Sequence, residues 1–147
     1  MVQILSKTSE QAVLALLFLT KYSDKEEIDI SVIANSLNVS KHSLGKILQT
    51  LVKAEIVFSK KGPVGGFKLK KSPDKITLME IIEVFHENYI FNRCIIGFPK
   101  CDPSTPCSLH KDWENVCENI KNIFKESTIG DLVKQPEFLN KINIIEK

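Results

Sequence analysis

Hydrophobic positions along this chain fall into segments whose period changes from helical to strand-like and back to helical. From Ser9 to Tyr22, apolar residues occupy nearly every face, with Ala12, Val13, Leu16, Leu17 and Leu19 predicting a largely buried first helix. A polar stretch follows, Lys21 to Glu27. Ile30, Ile33, Ala34 and Leu37 then recur at helical spacing and stop at Asn38, a residue that tolerates left-handed backbone. Ser40 is a natural N-cap, and Leu44, Ile47, Leu48, Leu51 and Val52 mark a third helix running to about Ala54.

The period then shortens. Ile56 to Ser59 and Gly66 to Leu69 have strand composition, and Lys60-Lys61-Gly62-Pro63-Val64-Gly65 between them is a glycine and proline turn, so a β-hairpin is expected. Thr77-Leu-Met-Glu80 is a capping-box pattern that opens a helix expected to bury Leu78, Ile81, Ile82 and Phe85. Residues 87–107 carry no regular period. Beyond Ser108, Leu109, Trp113, Val116, Ile120 and Ile123 step by four and three, an a/d seam that asks for another helix. Thr128-Ile-Gly-Asp131 breaks the pattern, and the tail to Lys147 gives no assignable period.

Helix, helix, turn, recognition-type helix and hairpin, in that order, make a winged helix-turn-helix. The predicted fold is therefore mainly α with a small β-hairpin wing, plus a long C-terminal dimerisation helix. Three parts are expected: 1–86 as a DNA-binding unit, 87–107 as a cysteine-rich sensor loop, and 108–147 as dimerisation helix and tail.

Charge sharpens this reading. The net charge of the 147 residues is only +2, but residues 1–75 hold twelve lysines against seven acids, while the remainder is net acidic. The basic half coincides with the winged helix. Lys41, Lys46, Lys60 and Lys61 are candidate phosphate contacts; His42 and Ser43, just inside the helix capped by Ser40, are candidate readers of base edges. Gly62, Gly65 and Gly66 give the wing a bare backbone that can approach a phosphate chain closely. Double-stranded DNA, bound by a homodimer whose two readers lie about one helical turn apart, is the expected partner. A basic face that binds a protein instead is the competing reading. The longest apolar run, Ala12 to Leu19, is eight residues, well under the roughly 20 that span a bilayer. A soluble cytoplasmic protein without a membrane partner is expected. No P-loop, nucleophile elbow or paired-carboxylate set is present, so the sequence does not read as an enzyme.

Four cysteines introduce a second chemistry. Cys94-x6-Cys101-x5-Cys107-x2-His110 spans a loop containing Gly97, Pro99, Pro103 and Pro106. Thiolates and imidazole suit iron-sulfur clusters or zinc, and a metal-free thiol switch uses the same residues. Cys117, among Val116, Ile120 and Phe124, reads as a packed small hydrophobe.

Leu44 to Ala54, Val57 to Phe67 and Ile76-Thr-Leu together resemble the Rrf2 family of bacterial repressors, which includes the IscR, NsrR and CymR types. The resemblance covers nearly the whole chain, and the glycine-rich wing is its most specific mark. Lys61 stands where that family usually has arginine, Glu55 where it has glycine, and Gly45 where it has an acidic or amide-bearing base reader. What the resemblance implies is a DNA-binding regulator, most simply a repressor, that senses iron-sulfur status, redox or nitric oxide. In the IscR type three cysteines and a histidine hold a 2Fe-2S cluster, implying Cys94, Cys101, Cys107 and His110 here, with 2Fe-2S favoured over 4Fe-4S. In the NsrR type an acid from the partner's first helix completes the site, which makes Glu10 the rival fourth ligand.

Overall fold

The computed structural model describes residues 3–142 and contains seven helices and one hairpin among them. Residues 143–147, the end of the tail expected to follow the dimerisation helix, lie outside the described residues. α1 (Lys7–Lys21) begins at Ser6, whose hydroxyl accepts from the Ser9 amide. Its apolar residues Ala12, Ala15, Leu16, Phe18 and Leu19 are buried at the centre of the core.

α2 (Ile30–Leu37) is capped by Asp29 and ends at Asn38, which takes the left-handed conformation expected of it, with φ of 51°. α3 (Lys41–Lys53) is capped by Ser40, whose Oγ accepts from the Ser43 amide at 3.1 Å. Leu44, Ile47, Leu48 and Leu51 face inward against α1 and α2. Glu55, directly after α3, also sits left-handed with φ of 64°, the geometry that glycine provides without strain.

β1 (Val57–Lys60) and β2 (Gly66–Leu69) pair antiparallel with Val57 opposite Leu69 and Lys60 opposite Gly66. An isolated bridge on the outer edge of β2 has no signal in the sequence. Ile28, ahead of α2, bridges Phe67 through two backbone hydrogen bonds of 2.9 Å, which ties the wing to the helix-turn-helix.

α4 (Leu78–Val84) starts where expected, but its box is half formed. Thr77 accepts from the Glu80 amide at 3.1 Å, whereas the Glu80 carboxylate pairs with Lys71 at 2.7 and 2.8 Å instead of returning to the cap. Met79, Ile81 and Ile82 are buried; Leu78 and Phe85 are only half-buried, because the helix turns its Met79 side toward Phe91. A 3-10 turn, Asn88–Phe91, precedes the cysteine loop.

α5 (His110–Glu126) divides the predicted seam in two, which corrects the expectation of a single partner-facing stripe. Ile120 packs with Phe124 against α4 and Phe91, and the Trp113 indole donates to the Arg93 carbonyl at 2.7 Å, so both serve their own chain. Leu109, Val116 and Ile123, seven residues apart, are left 49, 43 and 56% exposed. The chain then returns to the core. Thr128-Ile-Gly-Asp131, expected only to break the pattern, forms a complete capping box that opens α6 (Ile129–Leu132), and α7 (Pro136–Asn140) follows. Ile129 and Ile142 are buried in the same core as α1. Among the described residues, no helix is long and apolar enough to cross a membrane.

Candidate functional site

Burying Leu44, Ile47, Leu48 and Leu51 turns the opposite stripe of α3 outward. Lys41, His42, Lys46, Gln49 and Lys53 are exposed along it, and Gly45 lies at its centre. Gln49 and Lys53 were not among the sequence candidates, although their spacing of seven and eleven residues from His42 marks them as the same face. Ser43 is turned away: it is half-buried, and its hydroxyl donates to Gln11 of α1 at 3.3 Å. Ser40 serves as the cap. A shallow groove of about 870 Å³ runs along the stripe, bordered by Lys41, Lys46 and Lys53, with Ile30 and Phe67 in its wall.

The wing stands beside this face. Lys60 and Lys68 reach back to Glu27 at 3.9 and 3.1 Å. Glu27's own backbone amide, followed by the Lys68 ammonium, holds its carboxyl below the usual range. Lys60 is thus partly neutralised by its own chain, while Lys61 forms no ion pair among the described residues. Gly62, at φ of 111°, makes the turn; Gly65 and Gly66 are demanded by backbone packed directly against them.

The cysteine loop lies farther along the chain, between the 3-10 turn and α5. Cys94 is buried, Cys101 half-buried and Cys107 exposed. Backbone amides of Ile96, Phe98 and Gly97 point at the Cys94 sulfur and hold its thiol below the ordinary value. Cys101 lies beside it, with its Sγ 2.8 Å from His110 Nδ1. Partial burial, then the nearby charge of Cys94, pushes the Cys101 thiol up. Cys107 sits just before α5, where its carbonyl accepts from the His110 amide at 3.1 Å. Asp102 fixes the intervening turn by accepting from the Ser104 amide and hydroxyl at 2.8 and 2.6 Å.

A cavity of about 890 Å³ separates loop from helix, with Cys94, Cys101, His110, Trp113 and Cys117 in its wall. Cys117 is buried as expected, and burial pushes its thiol up. Among the described residues, no three Cys, His, Asp or Glu side chains close into a ready site for one metal ion. The donors instead meet pairwise through Cys101. Their chemistry suits a soft metal centre: a sulfur surrounded by amide donors is stabilised as thiolate, and adjacent thiolates repel unless a cation joins them. Glu10 is on the first turn of α1, bonded by Gln3 at 3.2 Å and near Lys7 at 3.7 Å, and does not line this cavity.

A buried acid missed by the sequence reading connects the two regions. Glu87 is 7% exposed; its carboxylate accepts from the Ser9 hydroxyl at 2.6 Å and from the Ser6 hydroxyl. It thereby clamps the start of the segment leading to Cys94 onto the N-terminus of α1, where the helix dipole favours a negative charge.

Comparison with known proteins agrees with this architecture. Residues 5–135 match the Rrf2 family model, described as an iron-dependent transcriptional regulator. A protein of Aquifex aeolicus described as an HTH-type transcriptional regulator is 37% identical over 136 residues, covering 91% of this chain and 94% of that one. The HTH-type transcriptional regulator NsrR of Oceanobacillus iheyensis is 29% identical over 144 residues, covering 97% and 98% of the two chains. Among solved structures, CymR, the global cysteine regulator of B. subtilis, superposes with a TM-score of 0.72 at 23% identity, covering 90% of this chain and 96% of that one. With a matched segment that takes in both the winged helix and the cysteine loop, the chain belongs to the Rrf2 family of transcriptional regulators.

Proposed function

We propose that this regulator binds a partly palindromic operator as a homodimer and adjusts that binding through a metal centre, most simply a 2Fe-2S cluster, held by Cys94, Cys101, Cys107 and a fourth ligand, His110 or the partner's Glu10. The observation that carries the reading is the pairing of Cys101 with both Cys94 and His110 beside one cavity. A bound cluster would supply redox and ligand sensitivity. The chain's own residues do the rest. Residues 87–107 form the sensing part, joined to the reading part (1–86) by the Glu87 clamp and to the pairing part (108–147) by the Trp113 bond to Arg93. A change in the loop therefore bears on α1, and α1 touches α3 through Gln11 and Ser43. Such a contact chain is a route by which two sites share one conformational equilibrium. Lys41, Lys46, Lys60 and Lys61 serve as phosphate contacts, with His42 reading base edges.

A metal-free thiol switch is the second reading. It is favoured by the Cys94 thiol, held below its ordinary value beside Cys101: a peroxide would oxidise Cys94 to the sulfenic acid, and the Cys101 thiol would displace water from it to form a disulfide.

The visible spectrum of anaerobically purified protein tests both. Charge-transfer absorption should be present, should vanish in Cys94→Ala, Cys101→Ala and Cys107→Ala, and should survive in Cys117→Ala. His110→Ala and Glu10→Ala identify the fourth ligand by which one destabilises the chromophore. Colourless protein with stoichiometric zinc would replace the cluster with a structural metal; colourless, metal-free protein would favour the thiol switch.

A further inference from the structure

Gly45 is the fifth residue of α3 and has no reason within the fold to be glycine. Its φ is not positive, and a Cβ placed there would meet only the Ile30 methyl, at an ordinary 3.5 Å. Glycine in a helix interior is nevertheless disfavoured against alanine. It stands at the middle of the outward stripe, one turn after His42 and one before Gln49. Ile30, from the start of α2, lies against the gap it leaves, and Phe67 of β2 lines the same groove. Lys41, Lys46 and Lys53 surround the groove, and no acid lines it.

A small apolar hollow among ammonium groups matches one feature of the DNA major groove. Thymine alone among the four bases presents a methyl group there, flanked by the phosphates that lysines neutralise. We infer that the hollow at Gly45, walled by Ile30 and Phe67, receives the 5-methyl group of an operator thymine and makes Gly45 a specificity-determining position. This rests on α3 being the DNA-facing helix.

The test starts with duplexes selected by the wild-type protein from a randomised pool. Fluorescence anisotropy then compares the selected duplex with versions in which each thymine in turn is replaced by deoxyuridine, which lacks only the methyl. One replacement per half-site should weaken wild-type binding about fourfold, the worth of one methyl-sized group at about 0.8 kcal/mol. Gly45→Ala should bind the parent duplex more weakly, lose its sensitivity to that replacement, and melt a few degrees higher than wild type. Equal tolerance of every replacement by the wild type, or an unchanged penalty in Gly45→Ala, would overturn the inference while leaving α3 as the reader. Failure of the wild type to select any duplex would overturn the DNA-facing assignment and the inference with it.

Discussion

Asp131 is a surface residue, yet its carboxyl lies at about 2 instead of the ordinary 3.8. Lys134, donating at 2.6 Å, is the largest cause, followed by the Thr128 amide and hydroxyl of the capping box. A carboxyl depressed by folding favours the folded state only while it is ionised. Its contribution is complete above the unfolded value near 3.8 and fades as pH falls through about 2. Asp131→Asn keeps the size and removes the charge. Thermal melts should therefore place wild type above Asp131→Asn at neutral pH, with the gap closing as pH drops from about 4 to about 2. A gap that stayed constant across that range would mean the pair acts through shape alone. The same capping box explains why the tail was illegible in sequence. Four residues of α6 are too few to show a period, and Ile129 enters the core because Thr128 and Asp131 fix the turn before it.

At the scale of elements, local signals carried most of the fold. Ser40, Thr77 and Asn38 were readable because a cap or a left-handed turn depends on one side chain and its own neighbourhood. What failed were features made by distant segments. The Ile28 rung on the wing joins residues 39 apart in sequence, and nothing near Ile28 announces it. Gly66 shows the consequence. Besides the bare approach to DNA expected of it, Gly66 meets a packing demand: Ile28 is so close that a Cβ on residue 66 would overlap the Ile28 carbonyl. Gly66→Ala should therefore destabilise the protein by about 2 kcal/mol, the usual cost of forcing atoms into a packed site, measured by urea denaturation. A variant of wild-type stability that bound DNA poorly would return Gly66 to the DNA interface. The candidate cysteine site is legible only in its membership. Spacing named Cys94, Cys101, Cys107 and His110, but not the three backbone amides on Cys94, which come from how the loop folds.

For the whole molecule the decisive feature is the divided face of α5. An a/d pattern read from sequence does not say whether a residue meets its own chain or another, because both burials select the same side chains. Trp113 and Ile120 are satisfied within the chain; Leu109, Val116 and Ile123 form an apolar row that is exposed among the described residues. A charge at Ile120 would damage the packing against α4 and Phe91, so it cannot separate folding from pairing. Val116→Glu and Ile123→Glu can, since each replaces a side chain about half exposed in the single chain. If a second copy covers this row, burying an unpaired carboxylate there is costly. Light scattering should then show a monomer whose circular dichroism and melting match the wild type. Operator affinity should fall by at least about a hundredfold, because two linked readers exceed one by roughly that factor or more. In the proposed dimer, half-sites about 34 Å apart would require both readers to be held at a fixed distance. A dimer that survived both substitutions would move the interface off α5, whereas a monomer that still bound the operator at full strength would remove the need for pairing altogether.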